Sequence, residues 1–514
     1  MAQSEQNLFS TSRERKLIFL LCFFGAIHVF IFSAAFPFFN NMDERFHFDL
    51  VLRYSHGELP RGLESLSDET VDFTKIYASP EFQCTPGMFS DGKFPVPPWI
   101  EPSAAEQNPA SLKNKQAIDA AWIANKEKKW LNYESSQQPV YYALAGVWCR
   151  LGQGCGLSGL QLLYWIRFLN SVFVALLVWI GYVAARMIFP ENAFIRRGVP
   201  ALIAFFPQQA FYSIQNDVLS PLSFGLVFIY LVRGAQMEQP DAKWGMMTGF
   251  ALAMTFLVKL SNVPVLITAA LAILIRAWHL HKNGKLRPVL PALVCLILCA
   301  GIPIAAWLGW TKYAFGDFTG TAAKIQSFTW TEKPFTEWWS HPIFTLQGVT
   351  TFVLELMTTF WQGEFAWHAN PLQIPVANAL YVIPALCFVG LGLMGALSRA
   401  GGATALQRQM LWFGFCCFVS GAGFLAFLSI RFDFGDCAGP SRLHPYFTAG
   451  RLVLASLIPF LLLYFYGLHH LFRGLKNRWL RPTIIVGIVV FVIILEIINS
   501  WPVFASQYNW YHSW

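Results

Sequence analysis

The sequence predicts an all-α protein that crosses a membrane many times, and three observations carry the prediction. Of the 514 residues, 55% are hydrophobic and 13% charged, against a charged fraction of about 25% in ordinary soluble domains. The mean hydropathy is +0.44. Apolar runs long enough to span a bilayer recur along the chain, with basic residues gathered in the short connections between them. The formal net charge of +8 is therefore topological and excludes a nucleic-acid partner.

Residues 1–16 read as a cytoplasmic N-terminus, with Arg13, Arg15 and Lys16 flanking the first span at 17–39. No small-residue cleavage site follows, so that span reads as a retained anchor. A large extracytoplasmic loop then covers 40–160, proline-rich from Pro60 to Pro102. Within it, 140–149 is apolar but too short to cross and is expected as an interfacial or re-entrant helix. Spans two to seven fall within 161–312, at 162–188, 199–212, 218–232, 244–258, 263–275 and 289–310. A second outer loop occupies 313–375. Spans eight to eleven lie within 376–500, at 376–397, 411–429, 452–468 and 484–498, with an outer loop at 431–451 and an outer C-terminal segment at 501–514.

About eleven crossings result, and the charges orient them. Arg186, Arg196 and Arg197, then Arg233 and Lys243, Arg276 to Arg287, Arg399 and Arg408, and Arg473 to Arg481 fall on one side, the expected cytoplasmic face. The C-terminal Tyr508, Trp510, Tyr511 and Trp514 suit an interface belt on the other side. Most spans show no ionisable residue, which excludes a pump or proton relay built on mid-membrane charge. The extra mass lies on the outer face, and chemistry is expected there.

Cys22, Cys295, Cys299, Cys387, Cys416 and Cys417 fall in spans and read as buried small hydrophobes. Cys84, Cys149, Cys155 and Cys437 fall outside and allow three pairings, with Cys149 to Cys155 as the local candidate for a disulfide across a glycine-rich turn. No Cys/His spacing matches a zinc site.

The first span ends in Asp43, Glu44, Arg45, Phe46 and His47. On a helix Asp43 and Glu44 share a face with His47, an arrangement for a base or a metal, or for a solvated cap. Arg167 lies about two turns inside the second span and needs an anionic partner, for which Asp43, Glu44 and Asp217 are the candidates. Lys259 and Arg451 stand at membrane boundaries, where they either snorkel or hold a lipid phosphate. Glu134, Gln138, Tyr141 and Tyr142 offer amides, a carboxylate and aromatic faces for a sugar, or an ordinary interfacial tyrosine pair. Asp217 also suits a helix N-cap. Trp361, Glu364, Trp367 and His368 either anchor the next span or serve the site.

The order of these pieces resembles the GT-C superfamily of integral-membrane glycosyltransferases, closest to a bacterial branch. Asp43-Glu44 after the first span is followed by Gln137-Gln138-Pro139-Val140-Tyr141-Tyr142, Arg167-Phe168-Leu169-Asn170-Ser171, Gln215-Asn216-Asp217, Lys259-Leu260-Ser261-Asn262 and Gly450-Arg451. The resemblance implies a GT-C type bundle in a bacterial inner membrane with an outward-facing site. It further implies a polyprenyl-phosphate sugar donor and a glycan, lipid or protein acceptor in the cell envelope. Asp43 becomes the base with Glu44 in support. Lys259, Arg451 and Arg167 are then expected at the donor phosphate, and His47, Glu134, Gln138, Tyr141, Tyr142 and Asp217 at the substrates. Some members of the superfamily bind a divalent metal through several acidic motifs; no convincing second acidic motif stands here, so no metal or other cofactor is expected. A flippase and a catalytically silent assembly subunit are the alternatives.

Overall fold

The structure, a computed structural model, describes residues 12–89, 91–100, 130–398, 402–435, 440–474 and 480–512. Each of the eleven apolar segments contributes a helix. Nine helices are long and apolar enough to cross a membrane among the described residues: Ser12–Ala35, Gly159–Ile188, Asn216–Gln236, Leu260–Lys282, Arg287–Phe315, Pro375–Leu397, Ala405–Arg431, Gly450–Leu471 and Leu480–Phe504. The chain is a multi-pass membrane protein. Helix Ala242–Val258 is shorter and still runs from one end of the bundle to the other.

In chain order we number the α-helices α1 (Ser12–Ala35), α2 (Glu44–His56), α3 (Asp68–Tyr77), α4 (Pro139–Gly154), α5 (Gly159–Ile188), α6 (Ala193–Ala204), α7 (Ser220–Gln236), α8 (Ala242–Val258), α9 (Val263–Lys282), α10 (Leu290–Phe315), α11 (Thr321–Ser327), α12 (Leu346–Gln362), α13 (Pro375–Leu397), α14 (Ala405–Arg431), α15 (Leu457–Leu471) and α16 (Leu480–Phe504). Two small antiparallel ribbons lie in the loops. Thr331–Glu332 pairs with Phe432–Asp433, with Thr331 opposite Asp433, and Ala366–Trp367 pairs with Asn370–Pro371, with Ala366 opposite Pro371.

The third expected span, 199–212, is broken. Helix α6 stops at Ala204, because Pro207 can neither donate to the helix nor tolerate a helical residue before it. The chain continues irregularly, with every residue from 206 to 220 buried. Irregular backbone at membrane depth is tolerated only where protein satisfies it, and here polar side chains do so. Asn170 Nδ2 donates to the carbonyls of Phe211 (3.1 Å) and Ser213 (2.7 Å), Gln208 Oε1 accepts the Ala210 amide (3.2 Å), and Gln215 Nε2 donates to the Ala210 carbonyl (3.2 Å).

Two ionisable groups occupy the bundle interior where the sequence led us to expect almost none. Glu496 of α16 meets His28 of α1 at 2.7 Å and accepts from the Tyr212 hydroxyl. All three are buried, and pairing is what makes a carboxylate tolerable there.

Helix α4 covers the expected 140–149 segment and extends it to 16 residues. It packs on α5 through Trp148 and Trp165, whose rings stack at 4.2 Å while each indole N–H donates to the other residue's carbonyl at 2.8 Å. The expected Cys149 to Cys155 disulfide is not formed, and the cysteines among the described residues are free. The helix runs through Gly154, so the two cysteines lie on different faces about 9 Å apart along the axis. Cys149 is buried and Cys155 exposed, a geometry a disulfide cannot span.

Helices α8 and α10 approach through Gly245 and Gly249, a small-xxx-small pair. A methyl group at Gly245 would collide with the Ala292 carbonyl, and one at Gly249 with the backbone of Leu296. Gly245→Ala is therefore expected to cost roughly 1–3 kcal/mol of stability, read as a lower unfolding temperature in detergent. An unchanged transition would mean that the two helices separate freely.

Candidate functional site

Six chain segments meet at one end of the bundle: the turn between α1 and α2, residues 130–138 before α4, the junctions Asn216–Leu219 and Leu260–Asn262, and the turn after α12 with Gly450–Ser456 facing it. The first is fixed by a rivet. Glu44 and Arg167 are both fully buried. Arg167 Nη2 donates to both Glu44 oxygens at 2.6 and 2.7 Å, and its Nε adds a third bond at 3.0 Å. Its remaining donors take the carbonyls of Ser33 (3.0 Å), Phe36 (2.5 Å) and Pro37 (3.0 Å), closing the C-terminal end of α1. Glu44 also accepts from Asn40 Nδ2 (2.9 Å) and from the Ile214 amide of the broken pass (2.9 Å). Burial pushes the Glu44 carboxyl up, and the Arg167 guanidinium opposes that rise.

Of the three partners considered for Arg167, the fold selects Glu44. Arg167 then has no donor left for the phosphate expected of it, and Glu44, sealed from solvent, can support Asp43 only indirectly. Their effect on chemistry passes through Asp43, whose backbone they pin.

Asp43 stands beside them with φ +64°, in the left-handed region that Asp and Asn tolerate best among non-glycine residues. Its carbonyl accepts the amides of Phe46 (2.9 Å) and His47 (3.2 Å), which starts α2. The conformation turns the side chain away from Glu44. One carboxylate oxygen accepts from the Tyr133 hydroxyl, the other lies 3.7 Å from Arg451 Nη2, and the side chain remains about 25% exposed. Asn41 fastens this turn to the loop opposite, donating to the Glu364 carbonyl and accepting the Ala366 amide, both at 2.9 Å.

Around Asp43 lies a dense field of charge. Asp43, Glu134, Asp217 and Glu364 all act electrostatically on Arg451. Lys259 Nζ holds Asp217 at 2.6 Å, and Lys324 Nζ holds Glu134 at 2.5 Å. Burial pulls the Lys259 ammonium down from its ordinary value, and Arg451 adds to that while Asp217 opposes it. Burial alone would raise Glu134, yet Lys324 and the hydrogen bonds it receives hold its carboxyl well below the usual range. Burial raises Glu364, with Arg451 acting against it.

Several polar atoms of this cluster are buried without a hydrogen-bond partner: Asp217 Oδ1, Glu364 Oε1 and Arg451 Nε, joined by the nearby Ser261 Oγ. Buried polar groups are normally satisfied. Arg451 Nε and Glu364 Oε1 face each other as an ion pair at 3.9 Å, too long for a hydrogen bond, and with Asp217 Oδ1 they mark a place suited to a polar ligand.

The fold thus brings Asp43, Glu134, Asp217, Lys259 and Arg451 together and leaves other expected contact residues beneath them. Tyr141 and Tyr142 are wholly buried, so their rings offer no face to a sugar. Gln138 is spent on the Leu260 amide at 2.9 Å. His47 is buried with Nδ1 at 2.6 Å from the Tyr142 hydroxyl. Asp49, two residues on, is committed to Arg53, Asn132 and Thr70. Among the described residues, no three His, Cys, Asp or Glu side chains converge to hold a metal ion.

Lys324 and Tyr133 carry no site signal in the sequence, and Glu364 enters it only as a residue that either anchors the next span or serves the site. A lysine in a long polar loop carries no signal of its own. Tyr133 adjoins Glu134, and that adjacency was the one available hint.

Burial lowers the His47 pKa from 6.5 to about 4. A histidine whose folded pKa is depressed is protonated more readily in the unfolded chain, so its contribution to stability is complete above pH 6.5 and is lost as pH falls toward about 4. Wild type is expected to lose unfolding temperature across that window, and His47→Gln to lose less. Parallel curves for the two would assign the acid sensitivity elsewhere.

Among solved structures, similarity is found to the archaeal oligosaccharyltransferase AglB from Archaeoglobus fulgidus. In its complex with an inhibitory peptide and a dolichol-phosphate the identity is 12% and the TM-score 0.36, covering 73% of this chain and 48% of that one. For the apo form of the Archaeoglobus fulgidus oligosaccharyltransferase the identity is 10% and the TM-score 0.42, covering 96% and 56%. The chain spans about half the length of these structures. No curated protein matches it. A family model described as "Predicted membrane protein (DUF2142)" matches residues 22–428, from within α1 to the last turn of α14. The chain belongs to this DUF2142 family of membrane proteins.

Proposed function

We propose that the protein is a GT-C type membrane glycosyltransferase that moves a sugar from a polyprenyl-phosphate donor to an acceptor hydroxyl at the face carrying Asp43. The observation that carries this reading is the pairing of a partly exposed, left-handed Asp43 with Arg451, beside the Lys259–Asp217 pair and amid buried polar atoms that make no hydrogen bond. The order of motifs that resembles GT-C enzymes is its second support.

In the reaction, the acceptor oxygen bonds to the anomeric carbon as the bond from that carbon to the phosphate oxygen breaks. The acceptor proton passes to Asp43 and the electron pair leaves with the polyprenyl phosphate. A positioned base and cations facing the departing oxygens are what such a transfer requires. Arg451 and Lys259 hold the phosphate, Tyr133 orients Asp43, and Glu364 with Asp217 sets the geometry of the two cations. In this reading the donor tail lies between spans and the working face is extracytoplasmic, in a bacterial inner membrane. No metal takes part, and turnover is expected to survive chelation.

The direct test is to purify the protein and assay sugar transfer from a panel of polyprenyl-phosphate sugars to envelope glycan, lipid and peptide acceptors. Turnover with one donor supports the reading. Absence of turnover with every donor, together with tight binding to an envelope protein, would replace it with a catalytically silent assembly subunit.

A further inference from the structure

A second feature lies at the opposite end of the bundle. Between α7, α8, α9, α13 and α14 is a cavity of about 930 Å³, apolar along most of its wall. Its basic side chains gather at one end. Arg276 and His279 come from the last turns of α9, and Arg408 from the first turn of α14.

The depth of this end is marked independently. Trp278 is 58% exposed, and the Lys282 ammonium lies 5.6 Å from its ring centre. A tryptophan paired with a lysine on a lipid-facing helix is the signature of headgroup level. The other end of the cavity is closed by Thr268 and Ser420, hydrogen-bonded at 3.0 Å. From Arg276 to Thr268 is about 12 Å along α9, and from Arg408 to Ser420 about 18 Å along α14. The cavity therefore extends from headgroup level to about the middle of a 30 Å hydrocarbon core, the reach of one leaflet's acyl chains.

The mouth suits an anion. Arg276 Nη2 donates to the Met237 carbonyl at 2.8 Å, while its Nε is buried without a partner. Among the described residues, no carboxylate lies within ion-pair distance of Arg276 or Arg408. In the adjacent 237–241 turn, Asp241 Oδ1 is occupied by the Trp244 amide at 2.7 Å, and Glu238 is exposed.

We infer that this cavity binds an anionic phospholipid of the leaflet opposite the Asp43 face, with its phosphate at Arg276 and Arg408 and its chains among α7, α9 and α14. The cavity ends at Thr268 and Ser420, so the length it holds matches one leaflet's acyl chain rather than the longer tail of a polyprenyl carrier. The site lies about 24 Å along α9 from the junction that positions Lys259, and the inference does not depend on the proposed transferase activity.

The test uses the full-length protein in a neutral detergent. Binding of phosphatidylglycerol, phosphatidylcholine and undecaprenyl phosphate is measured by native mass spectrometry and by the shift of the unfolding transition. Phosphatidylglycerol is expected to bind best. Replacing both cations (Arg276→Gln with Arg408→Gln) should weaken it about 30-fold, at roughly a factor of five for each basic group at the headgroup surface. Ala272→Trp, which fills the cavity and keeps both cations, should also abolish binding. Equal binding of phosphatidylcholine, equal competition by undecaprenyl phosphate, or undiminished binding by the folded Ala272→Trp protein would each overturn the inference. Variants are compared only after each elutes as a single species with a cooperative unfolding transition.

Discussion

Asp43→Asn is expected to reduce sugar transfer by at least about 100-fold, the usual contribution of a positioned general base, while leaving the protein as stable as wild type. The substitution suits the site for a structural reason. At φ +64°, Asn is among the few residues that tolerate the left-handed conformation. Asn also matches Asp in shape and accepts from Tyr133 through its amide oxygen. What it lacks is a carboxylate to receive the acceptor proton. Asp43→Ala would confound the result, because the left-handed backbone penalises its β-carbon by roughly 1–2 kcal/mol. The readout is turnover of the two purified proteins with a productive donor, alongside their unfolding curves. Equal turnover would remove Asp43 as base. Loss of turnover with loss of folding would leave the base assignment without support.

Arg167→Leu is expected to show the largest loss of stability of any single substitution considered, roughly 3–5 kcal/mol. It leaves the Glu44 carboxylate buried without its main partner and uncovers the carbonyls of Ser33, Phe36 and Pro37. Arg167→Lys should rescue only in part, because an ammonium cannot replace a planar fork that serves five oxygens. Glu44→Leu alone isolates the cation and should cost a similar amount. The double variant should lose less than the sum of the two, since each single change already abolishes the same interaction. It should not return to wild type: the Ile214 amide, the Asn40 side chain and the three carbonyls still lose partners. Unfolding temperature and yield measure this directly. An Arg167→Leu protein within 1 kcal/mol of wild type would show that the pair contributes nothing to the fold.

What the sequence disclosed follows the range of the interactions involved. Span positions were legible because an apolar run reports local burial, and α7 to α10 lie where the runs fall. The break at Pro207 was visible too, but the apolar residues on either side masked it. That Arg167 needed an anion was legible from its depth in a span. Which anion was not, because the choice among Asp43, Glu44 and Asp217 depends on how α1, α2 and the 206–220 segment pack together. Lys324 and Glu364 reach the site from loops whose course no local pattern reveals. Tyr141 and Tyr142 carried an apolar signal that fits an interface and an interior equally, and the packing of α4 between α2 and α5 selected the interior. Glu496 stood in plain view between Leu495 and Ile497. Its partners His28 and Tyr212 lie hundreds of residues away.

The Glu44 to Arg167 rivet also bears on how the protein is made. Arg167 lies 123 positions after Glu44, so during synthesis the carboxylate emerges first and the guanidinium follows within a 30-residue helix. A lone arginine at that depth is costly to insert. Here its counter-charge has already been made when α5 reaches the bilayer, and docking against the end of α1 supplies the remaining acceptors. The Ile214 amide joins only after another segment has entered. The turn that carries Asp43 is thus set only when α1, α5 and the segment after α6 have met, and a nascent chain halted before Ile214 lacks the last of these contacts.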